Sequence, residues 1–597
     1  MRIAGCCVAF VVCIGVLSSA VAQQSSTVTP SFKARTDVVL IPVIVRDSSG
    51  APVMGLSKND FTVFENGKRQ TLSVFQEVRA VTDVQRPSVP NGVYTNIQAG
   101  DTEPQRITIV ALDLVNTSFP DQAYARYSLL KFLSQNLDNR QPVALVAMNM
   151  YGLRMLHDFS ADNSSLIAAL KGVTGAATTG PSASGRVDRG VDSEVIKAAL
   201  TAGNINADPN SPRVRAIADD VERILSFESG EGADDEFTVI RRNMLEVTLE
   251  SLQHLAQSFV GIPGKKSLIW ITGGFPFNVT KSGSLASSTL FSQGATNVTR
   301  TETRAGVVGH LPDSNAILQD DAMRALEPLY VQTLQVLASA NIAVYPVDAA
   351  GLIVDFPGAE SHNINLSISR ESRERHQDVI STLSTFASMT GGNPCFNTND
   401  LGGCFDNAMR DTETYYLMGY HRDQQNHKVG WRPLEVKVAN SGLRVHARSG
   451  YFYSNENPSA TNARQMDIAL ALSSPIAYTA LPFTVKWQKS TEPAQKGKQQ
   501  YRFVIHVPAA GLSIDDKNSL DMEFIAVAIR RRGDREDRIA QHFGIQLKPE
   551  AVSQMLADGL TYDNKLFLSP DKYMIHFVVR DNETGRTGSV IASVTAD

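Results

Sequence analysis

Asp113, Asn116 and Thr117 place a carboxylate, an amide and a hydroxyl within five residues, directly after the apolar run 107–112. A buried strand that ends in an acidic residue and a polar loop, and is followed by a helix, is a common metal-site arrangement in α/β sheets. Oxygen ligands of this kind suit a hard cation. These residues therefore predict a site for Mg2+ or another divalent cation.

A second carboxylate is missing from the place where it would complete such a site. The apolar run 267–272 predicts a neighbouring strand, and Gly273 and Gly274 follow it. Loss of one carboxylate removes a full unit of electrostatic attraction for a cation. The sequence therefore leaves two alternatives: a working ion site, or an Asp113 side chain that caps a helix or accepts bonds from backbone amides.

The size and charge of the chain narrow the classes of protein to which it can belong. Its 597 residues exceed what one hydrophobic core holds, so three or four domains are expected. The net charge is −5, from 56 basic and 61 acidic residues. This balance does not indicate a basic surface for nucleic acid, and we predict no nucleic-acid partner.

Residues 1–22 have the pattern of an export signal. Arg2 supplies a positive charge, residues 4–17 form an apolar core, and Ala20-Val-Ala22 matches a small-x-small cleavage site before Gln23. The apolar core is short for a membrane span, and retention as an anchor is the alternative. We predict cleavage, no membrane span in the mature chain, and an exported protein that is periplasmic, at the cell surface or secreted.

The cysteine positions agree with export. Cys6, Cys7 and Cys13 lie in the predicted signal, so Cys395 and Cys404 are the two that remain after cleavage. Two cysteines close together in a polar loop usually bridge in an oxidising compartment. We predict a disulfide between Cys395 and Cys404, with two free thiols as the alternative.

The middle of the chain, residues 105–420, alternates between strand-like and helix-like segments. The apolar strand patterns and the helical periodicities fall at 107–112, 122–137, 142–148, 164–170, 237–259, 267–272, 323–340, 342–347 and 379–389. This alternation predicts a doubly wound, mainly parallel sheet with helices on both faces. Polar insertions near 174–235 and 278–320 interrupt it.

Strand patterns flank the α/β region on both sides. Residues 36–80 carry β-rich runs and an Asn66-Gly67 hairpin signal, which predicts a small β-domain. A linker that contains Pro, Gly and Asn follows up to about residue 105. Residues 430–455 predict a β extension, and residues 465–597 predict an antiparallel β-sandwich. The expected fold class is multidomain α/β plus β.

A set of short motifs is spread over residues 36–455. They include Gly55-Leu-x-x-x-Asp60-Phe61, Leu112-Asp-Leu-Val-Asn-Thr117, Gly264-Lys-Lys-Ser-Leu-Ile-Trp-Ile-Thr-Gly-Gly-Phe275, Tyr415-Tyr-Leu-x-Gly-Tyr420 and Arg448-Ser-Gly-Tyr-Phe452. With these motifs the chain resembles a von Willebrand factor type A domain, and more closely the VWFA-related proteins found widely in Acidobacteria. The resemblance implies an A-like sheet within residues 105–420.

The resemblance also implies a metal-ion-dependent adhesion site. Such a site has Asp-x-Ser-x-Ser in its first loop, Thr in a second and Asp in a third. Here the first loop reads Asp113-x-Val115-x-Thr117, so the middle hydroxyl is missing, and either Asn116 or Ser118 is its substitute if the loop shifts in register. Ser160 takes the place of Thr, and Gly273 that of Asp. The implied site is degenerate, and its candidate ligands are Asp113, Asn116, Thr117 and Ser160.

These observations lead to two functional hypotheses. The first is an exported, non-enzymatic adhesion protein that binds a protein ligand through the A-like domain. Within it, binding without a cation is favoured because the site is degraded. The alternative is a structural scaffold or assembly factor of the cell envelope with no metal dependence. The sequence lacks Gly-x-Ser-x-Gly and His-Glu-x-x-His, and we predict no catalytic residue.

Overall fold

The computed structural model describes the chain in eleven stretches. They are residues 38–79, 90–97, 106–135, 142–173, 233–274, 314–349, 366–422, 430–453, 461–492, 497–530 and 535–596. The predicted signal at 1–22 and most of the two predicted insertions lie outside the described residues. No helix within these stretches has the length and hydropathy of a membrane span.

The described residues form strands in three groups. The first group comes from segments on both sides of the α/β region in the sequence. The last group comes from the segment after that region, with one strand from before it. The strands are β1 (Val38–Arg46), β2 (Phe61–Glu65), β3 (Lys68–Gln70), β4 (Leu72–Arg79), β5 (Val93–Thr95), β6 (Ile107–Asp113), β7 (Val143–Asn149), β8 (Gly152–Ser160), β9 (Lys266–Thr272), β10 (Ile342–Asp348), β11 (Thr414–His421), β12 (Gly430–Val438), β13 (Arg444–His446), β14 (Gly450–Tyr453), β15 (Thr484–Lys489), β16 (Gln499–Val507), β17 (Ser519–Arg530), β18 (Arg535–Gln546), β19 (Leu560–Leu568), β20 (Asp571–Asp581) and β21 (Thr587–Ala596).

Most helices lie in the α/β region. The helices are α1 (Phe119–Gln135), α2 (Asn163–Lys171), α3 (Ala233–Phe259), α4 (Ser314–Ser339), α5 (Leu366–Thr390), α6 (Leu401–Arg410), α7 (Thr461–Ser473) and α8 (Pro549–Asp558). Two short 3-10 turns occur at Lys58–Asp60 and Ala509–Gly511. The sequence analysis predicted α1 to α5, and α6 was assigned to a polar loop.

The α/β sheet has the strand order β10-β9-β6-β7-β8. Four strands are parallel, and β8 pairs antiparallel with β7. Strands β6, β9 and β10 are buried at every residue, and their largely apolar sequences fit a sheet with both faces covered. Side chains of α3, α4 and α5 cover one face, and those of α1, α2 and α6 cover the other. The predicted fold class is confirmed.

An N-terminal β-sandwich is built from segments that precede and follow the α/β region in the sequence. Its sheets have the orders β13-β1-β11-β4 and β14-β12-β2-β3. The sequence patterns predict separate units at 36–80 and 430–455 and place β11 in the α/β region, but in the structure these segments share sheets. A segment as small as 36–80 cannot bury the apolar face of β1 alone, and β11 and β12 supply the missing partners.

The C-terminal β-sandwich also takes a strand from far along the chain. Its sheets have the orders β19-β16-β15-β5 and β18-β17-β20-β21. Strand β5 lies in the predicted linker and pairs with β15. The following Asn96 is buried, and its amide Nδ2 donates to Tyr478 O and Leu481 O at 2.6 and 2.9 Å. This part of the linker is therefore fixed to the C-terminal sandwich.

Candidate functional site

The carboxyl edge of the parallel strands gathers the predicted site residues. Strand β6 ends at Asp113, and β9, its parallel neighbour, ends at Thr272. Because the two strands run in the same direction, the loops that follow them meet at one edge of the sheet. The loop 114–118 then leads into α1. Asp113, Asn116 and Thr117 are thereby brought together, as predicted.

The Asp113 carboxylate is enclosed by donors from the protein itself. Its Oδ1 atom accepts hydrogen bonds from the backbone N–H groups of Val115 and Asn116, both at 2.9 Å. Its Oδ2 atom accepts from Asn116 Nδ2 at 2.7 Å, Thr272 Oγ1 at 2.7 Å and Trp270 Nε1 at 3.2 Å. A carboxylate offers about four lone-pair positions, so five donors occupy its acceptor capacity.

Burial dominates the electrostatics of Asp113, whose exposed fraction is 2%. Loss of solvation raises the pKa of the Asp113 carboxyl above its ordinary value. The hydrogen bonds from Asn116, Thr272 and Val115 act in the opposite direction, because they stabilise the charged form. The donor shell thus offsets the lost solvation of the carboxylate only in part, because the pKa remains raised.

Asn116 and Thr117 are also directed into the protein. Asn116 Nδ2 donates to Thr248 Oγ1 of α3 at 2.8 Å in addition to Asp113, and the Asn116 side chain is fully buried. Thr117 Oγ1 accepts the backbone N–H of Gly273 at 2.9 Å. These contacts join the loop after β6 to the end of β9 and to α3. They use Asn116 Nδ2 and Thr117 Oγ1, whereas the buried Asn116 Oδ1 accepts no hydrogen bond.

Ser160 lies at the opposite edge of the sheet. Its partner in β7 is Val143, at the start of that strand, whereas Asp113 pairs with Met148 near the end. Five residues of extended chain separate these levels by roughly 16 Å. The reason is that β8 runs antiparallel, so its last residue returns to the amino edge. The structure therefore corrects the expectation that Ser160 joins the other candidate ligands.

Gly273 occupies the place where an adhesion site would have its third-loop aspartate. A Cβ atom at Gly273 would lie 2.6 Å from Asn116 O and 3.0 Å from Thr117 Cα. Side chains essentially never approach backbone this closely, so Asp cannot replace Gly273 unless the loop moves. Within the described stretches, no group of three or more His, Cys, Asp and Glu side chains is placed to hold a metal. Among the four candidate ligands, Asp113 supplies the one carboxylate, and donors from the protein already surround it.

Three further residues at this edge were missed by the sequence analysis. Trp270 and Thr272 both donate to Asp113, and Thr248 accepts from Asn116. Trp270 and Thr272 are two residues apart on β9, so their side chains lie on the same face of the strand. That spacing is a usable signal, because both side chains have a donor and both lie toward the carboxyl end of the strand. The α3 residue Thr248 had no comparable signal.

The turn between β7 and β8 presents Tyr151 at the same edge. Asn149 pairs with Gly152, so Met150 and Tyr151 form a two-residue turn. Asn149 Oδ1 accepts the backbone N–H of Tyr151 at 2.8 Å, and the Tyr151 side chain is 100% exposed. The Asp113 loop lies beside this turn, because Leu114 N donates to Met148 O at 2.9 Å.

Cys395 and Cys404 form a disulfide, as predicted. Cys395 runs beside β10, where its backbone exchanges hydrogen bonds with Pro346 and Asp348. Cys404 lies in α6. The disulfide therefore connects the edge of the α/β sheet to the helix that covers one of its faces.

Comparison with known proteins gives a distant structural likeness. No protein family profile matches the chain. No curated protein matches it either. The chain is similar to the pilus adhesin SpaC from Lactobacillus rhamnosus GG, with 9% sequence identity and a TM-score of 0.21. The alignment covers 87% of this chain and 57% of the adhesin chain, so this chain spans less than two thirds of that protein. A TM-score this low does not support an inference about function.

Proposed function

We propose that this chain is an exported, non-enzymatic protein of the VWFA-related type, which binds a protein ligand at the carboxyl edge of its α/β sheet. The strand order β10-β9-β6-β7-β8 and the position of Asp113 at the end of the central strand support the resemblance. The disulfide between Cys395 and Cys404 supports export to an oxidising compartment.

The proposed binding does not use a divalent cation. The main support for cation-independent binding is the donor shell of Asp113. Two backbone amides and three side chains already donate to its two carboxylate oxygens. A hard cation takes about six oxygen ligands, and displacing these donors would leave several buried polar groups without partners. The contact surface is therefore the protein edge itself.

Tyr151 is the proposed anchor of that surface. An aromatic side chain with full exposure loses the most solvent contact when a partner covers it, and tyrosine is enriched among residues that dominate binding energies. The Asn149 contact holds the turn, so little conformational freedom would be lost on binding.

The division into domains is also part of the proposal. We propose an α/β unit over about 105–410, an N-terminal β-sandwich from 38–79 and 414–453, and a C-terminal β-sandwich over 465–597 that includes β5. The shared sheets and separate apolar cores of these groups support this division.

Site-specific photo-crosslinking tests the binding proposal in the cell envelope of the source organism. A photoreactive amino acid replaces Tyr151 in one variant and Tyr127 in another. Tyr127 is the matched control. It is 66% exposed, and it lies on α1 about two helical turns from the start of that helix, away from the carboxyl edge. We expect one defined adduct from position 151, with the same yield in EDTA, and none from position 127.

Other outcomes of the crosslinking distinguish the alternatives. Equal adducts from both positions would favour the envelope scaffold, because a scaffold would be covered over several faces. Loss of the adduct from position 151 in EDTA would contradict cation-independent binding.

A further inference from the structure

Strand β18 lies at one edge of the C-terminal sandwich. It is the first strand of the sheet β18-β17-β20-β21 and pairs with β17 on one side. Within the described residues, no strand pairs with its other side. Side chains on both faces of its second half are exposed, at Ala540, Gln541, His542, Gly544, Ile545 and Gln546. Exposure on both faces indicates that the outer edge of this half is open to solvent.

The second half of β18 lacks the features that usually keep an edge strand from pairing. Residues 539–546 contain no Asp, Glu, Lys, Arg or Pro. Their register with β17 is regular, and the one shift in register between these strands falls at Ala528/Ile529, opposite the other end of β18. Charged side chains, prolines and bulges are the common protections of sheet edges. Residues 539–546 are therefore able to pair with a further strand.

The other edges of the described sheets are short, irregular, covered or charged. Strands β3, β5, β13 and β14 have three or four residues each, and β8 has two shifts in register. Backbone groups of Cys395 bond to β10, and Tyr478 O accepts a hydrogen bond from β21. Strands β4 and β19 carry charged side chains, at Glu77, Arg79, Asp563 and Lys565. The second half of β18 differs from all of these edges.

The chemistry of this edge specifies the kind of partner that it fits. An open strand edge presents backbone N–H and C=O groups, which another extended strand satisfies. On the face toward the sandwich core, Ile539 and Phe543 are half-buried against that core, and Ile545 is 42% exposed. On the opposite face, His542 Nε2 lies 2.7 Å from Asp521 Oδ1 of β17. The partner is therefore an uncharged strand with apolar side chains on one face.

We propose that this partner is β18 of a second copy of the chain, paired antiparallel about a twofold axis at His542. In this register Ile539 lies opposite Ile545, and Gln541 lies opposite Phe543, in both halves of the pair. The twofold axis is perpendicular to the sheet, so the apolar side chains of both copies lie on the same face. Two sheets of four strands each then join into one continuous sheet.

The charges around the edge favour a second copy of the same strand. In the proposed register Arg538 lies opposite Gln546, so side chains of like charge are not opposed. Asp537 Oδ2 accepts the backbone N–H of Phe567 at 2.7 Å and is thus engaged within its own chain. The His542 side chains meet at the axis, and each keeps the carboxylate partner of its own chain. A strongly charged strand would find no opposite charge along 539–546.

Sedimentation velocity of the full mature chain over a wide range of concentrations tests the proposal. We expect a reversible monomer–dimer equilibrium for wild type. Ile545→Lys should weaken the dimer by about tenfold or more, because the twofold axis brings two added charges into the paired edge. Leu556→Lys is the matched control and should dimerise as wild type does. Leu556 is 50% exposed but lies on α8, outside the paired edge.

Disulfide crosslinking tests the register and does not depend on the strength of the dimer. His542→Cys would place two thiols opposite each other at the axis, where opposed Cα atoms of antiparallel strands are about 4.5–5.5 Å apart, within reach of a disulfide. We expect a covalent dimer under mild oxidation, and none from Leu556→Cys. A wild-type chain that is monomeric at every concentration, equal weakening by Ile545→Lys and Leu556→Lys, or no covalent dimer from His542→Cys would overturn the proposal.

Discussion

At the scale of single residues, Asp113 shows how a residue with the signature of an ion site can serve the fold. Its five donors come from the loop after β6 and from β9, and Asn116 extends the network to α3. Gly273 completes the arrangement because its lack of a side chain lets the two loops pack together. The carboxylate therefore joins three elements at the edge that we propose as the binding surface.

Asp113→Asn should destabilise the protein strongly. The new amide would point N–H groups at other donors and leave several buried groups unsatisfied, at a cost of roughly 2–4 kcal/mol in the free energy of unfolding. Urea unfolding followed by tryptophan fluorescence measures this change. Asp162→Asn is the control, because Asp162 caps α2 and asparagine caps helices equally well. Equal stability of the two variants would contradict the role assigned to Asp113.

Lys266 allows a prediction about pH. It is 1% exposed, and burial lowers its pKa from 10.5 to about 7. Between these values the unfolded chain binds a proton that the folded chain does not, so the free energy of unfolding rises with pH across this window. Lys266→Met removes that dependence. Relative to wild type, the variant should gain on the order of 2 kcal/mol as pH falls from about 9 to about 6.

Denaturant unfolding at several pH values measures the effect of Lys266→Met. Lys68→Met serves as the control, because Lys68 is exposed on β3. A stability difference that does not change with pH in the Lys266→Met variant would show that the amine is not held in a desolvated position.

At the scale of elements, the disulfide helps to hold α6 against the α/β sheet. Leu401 and Phe405 of α6 pack into the core against α1, and Cys404 ties the helix to Cys395 beside β10. Replacing both cysteines with serine should lower the free energy of unfolding by about 2 kcal/mol, because the unfolded chain loses a short closed loop. Thermal melting of wild type and variant measures this. A reducing agent should lower the Tm of wild type alone, and an unchanged wild type would contradict the prediction.

The elements also show what sequence patterns can and cannot predict. The four parallel strands of the α/β sheet and the site residues Asp113, Asn116 and Thr117 were predictable, because apolar runs and a polar loop have local signatures, but the strand β8 was not predicted. The direction of β8 was not, and Ser160 was misplaced for that reason. Pairing depends on residues that are distant in sequence, so the partnership of β5 with β15 also had no local signal. The acceptor Thr248 became apparent through the fold alone, whereas Trp270 and Thr272 had a usable spacing on β9.

At the scale of the whole molecule, the chain passes repeatedly between its three units. From Val38 onward, the described residues pass from the N-terminal sandwich to β5 of the C-terminal sandwich, then to the α/β sheet, back to the first sandwich and on to the last. Contacts between units are also direct. Thr479 N donates to Gln257 O, and Thr479 Oγ1 donates to Ser258 O near the end of α3. The units should therefore unfold cooperatively.

Gly261→Ala tests that cooperativity. A Cβ at this position would overlap the Thr479 carbonyl, so the C-terminal sandwich would be displaced from α3. We expect calorimetry to show one unfolding transition for wild type and two for the variant, or one at a clearly lower Tm. Gly544→Ala in β18 is the control, since its Cβ would meet the exposed His542 ring at 3.3 Å. A wild-type melting curve for Gly261→Ala would contradict this coupling.

Calorimetric titration of the full mature chain with Mg2+, Mn2+ and Ca2+, alongside Asp113→Ala, is the most direct test of the proposed cation-independent edge. The closed donor shell predicts no heat of binding and no shift in Tm for wild type with any of the three ions. Stoichiometric binding to wild type that Asp113→Ala abolishes would contradict the account and restore Asp113 as the ligand of a working adhesion site.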